Sequence, residues 1–89
     1  MEPEQESIIK FPCLFPIKVM GKAETNFDAM VVEIVRKHAP DLTDIAVQSR
    51  FSRGGRYISV TVTVNAHNKQ QLDNIYMELT AHEKVLMAL

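Results

Sequence analysis

Ile45-Ala46-Val47-Gln48-Ser49-Arg50-Phe51-Ser52-Arg53-Gly54-Gly55-Arg56-Tyr57-Ile58-Ser59-Val60-Thr61-Val62-Thr63-Val64 decides the fold of this chain. Two strand-like runs, 45–52 and 57–64, flank Gly54-Gly55. A two-residue glycine turn sets Arg53 opposite Arg56, and the register then follows without freedom. Phe51 faces Ile58, Ser49 faces Val60, Val47 faces Val62 and Ile45 faces Val64. On the reverse side Arg50 faces Ser59, Gln48 faces Thr61 and Ala46 faces Thr63. One face of the ribbon is almost wholly apolar and the other polar, as in a sheet covered on one side only.

Outward from the hairpin, Phe15, Ile17 and Val19 alternate with Pro16, Lys18 and Met20 and predict a first strand within 14–20. Gly21 is expected to end it and open a short turn. Phe27, Met30, Val31, Ile34 and Val35 recur at helical spacing and predict a helix over about 26–38. Thr25 or Asn26 can cap it, and Asp28 suits the positive end of its dipole. Glu33 and Lys37 are spaced for an i,i+4 pair, and Pro40 stops the helix. A second helix is predicted over about 68–81, with Leu72, Ile75, Tyr76 and Leu79 as its apolar stripe. His67 or Asn68 caps it, with Gln71 at capping-box spacing from Asn68. A last strand, 84–89, turns Val85, Met87 and Leu89 one way and Lys84, Leu86 and Ala88 the other.

The order strand, helix, strand, strand, helix, strand is α+β. Its economical packing is the ferredoxin-like βαββαβ plait, a four-stranded antiparallel sheet of order 4-1-3-2 with two helices on one face. Residues 1–10, with Glu2, Glu4 and Glu6, are expected to form a disordered acidic tail, and 11–89 a single domain.

Composition narrows the function. The chain has 89 residues, 46% of them hydrophobic, and a net charge of −1. Such a balance makes nucleic acid an unlikely partner and disfavours anionic membranes. Cys13 is the only cysteine, so no intrachain disulfide can form. No apolar run approaches the roughly 20 residues of a membrane span. A cytoplasmic protein is the expectation.

Against known families, Phe11-Pro12, Phe15 and Lys18-Val19-Met20-Gly21 resemble the opening of the YbeD-like family of small bacterial proteins. His38-Ala39-Pro40, the hairpin Ser52 to Val60, and Tyr76 with Leu79 are similar as well. The resemblance runs from about Phe11 to Leu89. The chain departs in having two glycines at the turn, where the family often has one and a polar residue. The resemblance implies a ferredoxin-like fold similar to the ACT-type domains that regulate metabolic enzymes, and it brings no established biochemical activity with it.

Candidate site residues are few. Arg50, Arg53 and Arg56 offer guanidinium forks for a carboxylate or phosphate. The plainer account makes Arg53 and Arg56 solvated turn residues and Arg50 the guard of an edge strand. The open sheet face is expected to show Lys18, Met20, Gln48, Arg50, Tyr57, Ser59, Thr61, Thr63, Leu86 and Ala88, a mixture suited to another protein, a second copy, or bare solvent. As an RNA platform it has one stacking aromatic, Tyr57. Gly21 lies where ACT-type domains bind ligands, beside the free amides that open a helix; a glycine there for backbone freedom alone is the simpler reading. His38, His67 and His82 show no metal-ligand spacing, and neither a phosphate loop nor a serine elbow appears. Acylphosphatases share the topology but carry a glycine-rich, arginine-bearing loop after strand one, which Met20-Gly21-Lys22-Ala23-Glu24 lacks. The chain is therefore expected to be a non-enzymatic regulatory or interaction module without cofactor or metal. It would bind a protein partner or itself through edge strand two, with a small metabolite as a further ligand. The alternative is a weak RNA-binding module on the open face.

Overall fold

Tyr57–Ala66 forms a ten-residue alternation, and its inward residues Ile58, Val60, Val62, Val64 and Ala66 are all buried. This strand, β3, is the spine of the computed structural model, which describes residues 10–24 and 26–89. The proposed tail lies outside the described residues except for Lys10. Five further elements join β3: β1 (Cys13–Lys22), α1 (Phe27–His38), β2 (Val47–Phe51), α2 (Lys69–Ala81) and β4 (Val85–Ala88). The sheet order is β2-β3-β1-β4, with every neighbouring pair antiparallel. This is the expected plait, with β2 and β4 at the edges.

Val60, Val62, Val64, Ile17 and Val19 from the sheet meet Val31, Val35, Ile75 and Leu79 from the helices, all fully buried. Each such side chain contributes about 1.5–3 kcal/mol relative to exposure. Helix α2 starts as capping chemistry requires: Asn68 Oδ1 accepts the Gln71 N–H at 2.8 Å. Gln71 Oε1 in turn accepts the N–H of His67, and its amide donates to the His38 carbonyl, tying the start of α2 to the end of α1. Helix α1 follows Asn26, which is left-handed (φ 70°) and gives no side-chain cap. Thr25, the other cap candidate, lies outside the described residues. Lys37 pairs with Glu78 of α2 instead of Glu33, and Glu78 also takes the His38 ring nitrogen at 2.9 Å.

Three boundaries differ from expectation. Ile45 is not in β2; it lies in a 3-10 turn, Asp44–Ala46, and is 85% exposed. Arg36 explains this, since its guanidinium donates to the Leu42 carbonyl and pairs with Asp44 at 3.0 Å, folding the approach to β2 into a turn. The hairpin keeps its expected register from Val47–Val62 to Phe51–Ile58, but its tip is not a two-residue turn. Ser52 accepts the Gly55 N–H at 2.9 Å, and Gly54 and Gly55 both take positive φ, the region that favours glycine. Lastly, Gly21 sits inside β1, which runs on to Lys22.

Candidate functional site

The outer face of the sheet can be built row by row from the register. Gln48 of β2 lies opposite Thr61 of β3, and Thr61 opposite Lys18 of β1. Lys18 exchanges backbone hydrogen bonds with Leu89 at 2.8 and 3.1 Å. The next row runs Arg50, Ser59, Met20, Met87. Small hydroxyls on the central strand thus form a floor between longer side chains on both sides. The result is an open depression of about 480 Å³ lined by Lys18, Gln48, Ser49, Arg50, Ser59 and Thr61. Its lining has two cations and no carboxylate.

The predicted site residues separate into those the fold gathers and those it does not. Lys18 and Arg50 share the depression. Met20 is half-buried beside it. Tyr57 is 46% exposed and lies opposite Lys22 at the end of β3. Arg53 and Arg56 stay in the exposed hairpin tip, outside the depression.

Gly21 is neither at a turn nor open to a ligand. A Cβ there would stand 2.3 Å from Phe27 Cε1 and 2.6 Å from the Lys84 carbonyl oxygen. Phe27 thus occupies the space that the ACT-type reading requires to be open.

The last strand corrects the expected face. The β1–β4 register shifts between Met20 and Gly21, with Val85 opposite Gly21 and Met87 opposite Met20. One extra residue turns Ala88 toward the core and Met87 toward the open face, as a bulge does. Met87 and Leu89 therefore border the candidate site, where alternation alone had placed Leu86 and Ala88. No periodic signal marks such a shift.

A second exposed region lies at the β2 edge. Val47 is half-buried, while Ser49 and Phe51 are exposed, Phe51 to 62%. Between the Val47–Ser49 part of β2 and α1 runs a groove of about 680 Å³ lined by Asp28, Ala29, Val32, Glu33, Arg36, Lys37, Asp44, Val47 and Ser49. The helices cover β1 and β3 and stop short of β2. On the inward side of the hairpin's first strand, expected to be core, Val47 packs against the core while Ser49 and Phe51 are surface.

Among titratable groups, Glu78 is held below the ordinary carboxylate range by its hydrogen bond from Lys37, then by that from His38. Burial pushes the Tyr76 phenol up, and its hydroxyl donates to the Leu89 carbonyl at 2.9 Å. Among the described residues no group of three or more His, Cys, Asp or Glu side chains could hold a metal. No described helix is long and apolar enough to cross a membrane.

A protein from Chromobacterium violaceum named UPF0250 protein is 49% identical over 89 residues, the full length of both chains. UPF0250 protein NE1487 of Nitrosomonas europaea is 45% identical over 85 residues, covering 96% of this chain and 98% of that one. The solution structure of HP0495 from Helicobacter pylori matches with a TM-score of 0.69 at 17% identity, covering 91% of this chain and 85% of that one, a likeness of fold. The family model described as "Protein of unknown function (DUF493)" matches residues 6–89. The YbeD-like resemblance is thereby borne out, and the chain belongs to the DUF493 family, whose curated relatives carry the name UPF0250.

Proposed function

We propose that this protein works by contact and not by catalysis, joining a second copy of itself through edge strand β2. The observation that carries the reading is the exposure of Phe51 and Ser49 on the side of β2 that faces the helix layer. The backbone supports it as well. The Ser52 N–H donates to the Tyr57 carbonyl at 2.8 Å. Alternating back along the ladder, Arg50 and Gln48 turn their amides toward β3, while Phe51, Ser49 and Val47 turn theirs outward. Those outward groups are what a neighbouring strand needs.

Side-chain chemistry selects one register. An antiparallel pair centred on Ser49 sets Phe51 against Val47 of the other copy and Arg50 against Gln48. Moving the centre to Arg50 would set like charges face to face, which is destabilising. Moving it to Gln48 would set Phe51 against Ile45, which lies outside β2 in the 3-10 turn and cannot continue the ladder. The favoured register continues the four-stranded sheet into one of eight. A regulatory role, with a small metabolite held at the interface between copies and not at Gly21, is the finer form of the same reading. Sedimentation velocity over a wide concentration range tests the association: a reversible monomer–dimer equilibrium is expected, and a strict monomer at the highest concentration overturns it.

A further inference from the structure

We infer that the depression between Lys18 and Arg50 on the open sheet face is a binding site for a phosphoryl group. Three features of its construction support this. First, Lys18 on β1 and Arg50 on β2 stand on either side of β3 in adjacent cross-strand rows, so their backbones are about 12 Å apart on the diagonal. A Lys and an Arg side chain rooted this way can converge above the strand between them. Second, Ser59 and Thr61 lie beneath that point, with Gln48 at the side. The hydroxyls and the amide add donors to the two cations, and no acidic side chain lines the depression to oppose an anion. Third, the donors come from three strands and surround one volume.

A tetrahedral oxyanion uses donors arriving from several directions, whereas a carboxylate is satisfied by one planar fork. A Lys point charge, an Arg fork and hydroxyls beneath them match the former. Met20, Met87 and Leu89 border the depression on the β4 side, so the remainder of a phosphate monoester would rest on an apolar margin. The site is complete within one chain and does not depend on pairing through β2.

Inorganic phosphate is the probe. The full chain, labelled with nitrogen-15, is titrated with phosphate at constant ionic strength and neutral pH while amide shifts are followed, with acetate in a parallel arm. The expected result is a saturable shift centred on Lys18, Gln48, Arg50, Ser59 and Thr61 with phosphate and weaker binding of acetate. Lys18→Gln and Arg50→Gln should each weaken phosphate about ten-fold or more, the effect of losing a charged hydrogen-bond donor. Lys22→Gln, outside the depression, should not. All three positions are exposed, and superimposable spectra of the variants establish intact folding. Phe51→Gln, which removes the apolar contact of the proposed dimer, should still bind phosphate, so failure of the two proposals is distinguishable. Shifts that do not saturate, that spread equally over Arg53, Arg56 and Lys69, or that survive both glutamine variants would overturn the inference. So would acetate binding as tightly as phosphate.

Discussion

The Phe27 ring lies directly over the Cα of Gly21, so close that a methyl group on that carbon would stand 2.3 Å from Cε1. Helix α1 and strand β1 meet through this pair, and the Lys84 carbonyl closes the third side at 2.6 Å. Gly21→Ala is therefore expected to destabilise the fold by about 2–3 kcal/mol, the upper part of the usual overpacking range. Combining it with Phe27→Leu should recover only part of the loss, because the backbone oxygen cannot yield as a ring does. Urea unfolding of the single and double variants measures both.

Acid should weaken the junction between the helices. The Glu78 carboxyl titrates below its ordinary value because Lys37 and His38 hydrogen-bond to it. Between that lowered value and the unfolded one, ~4.3, the unfolded chain binds more protons at this group than the folded chain. Its contribution to stability is thus complete above the ordinary carboxylate range and is lost as pH falls through the lowered value. Glu78→Gln should flatten the acid limb of the stability profile, a change that melting temperatures between neutral and acidic pH would reveal.

Pairing through β2 should depend on single positions. Ser49→Pro removes an outward-facing N–H while leaving the internal ladder intact, a substitution edge strands accept. It should abolish self-association with little change in urea midpoint, as should Phe51→Gln. Light scattering coupled to size exclusion reads the first effect; loss of folding along with association would mean the edge is structural instead.

Asn68→Ala should cost about 1 kcal/mol, the usual value of an N-cap side chain, because the Gln71 N–H loses its acceptor. A drop in the urea midpoint without change in slope is the expected signature.

The alternation Ile58-Val60-Val62-Val64 opposite Phe51, Ser49 and Val47 was enough to pair two strands in register, and the helix stripes supplied the covering layer. What escaped sequence reading was set by contacts between distant residues. Ile45 extends the apolar alternation of β2 by every local rule, yet Arg36 from another element draws it into a turn. Gly21 has the appearance of a turn residue and is in fact a gap filled by Phe27. Met87 and Ala88 exchanged faces because a bulge interrupts a two-residue period without altering composition. The candidate site followed the same pattern: Lys18 and Arg50 were legible as outward-facing cations, while their placement on either side of Ser59 and Thr61 arises from strand order, which brings β1 and β2 to opposite flanks of β3.

The two strands of the central hairpin, though paired residue for residue, live in different environments. Strand β3 has both neighbours and a sealed underside; β2 has one neighbour and almost no cover. In the monomer, isotope exchange should proceed early along Val47–Phe51 and last along Ile58–Val64, because opening the rim exposes little that was dry. The rim can detach and return on its own timescale while the remaining three strands and both helices stay assembled, which leaves the β2 edge free to be remodelled by substitution without endangering the domain that carries it.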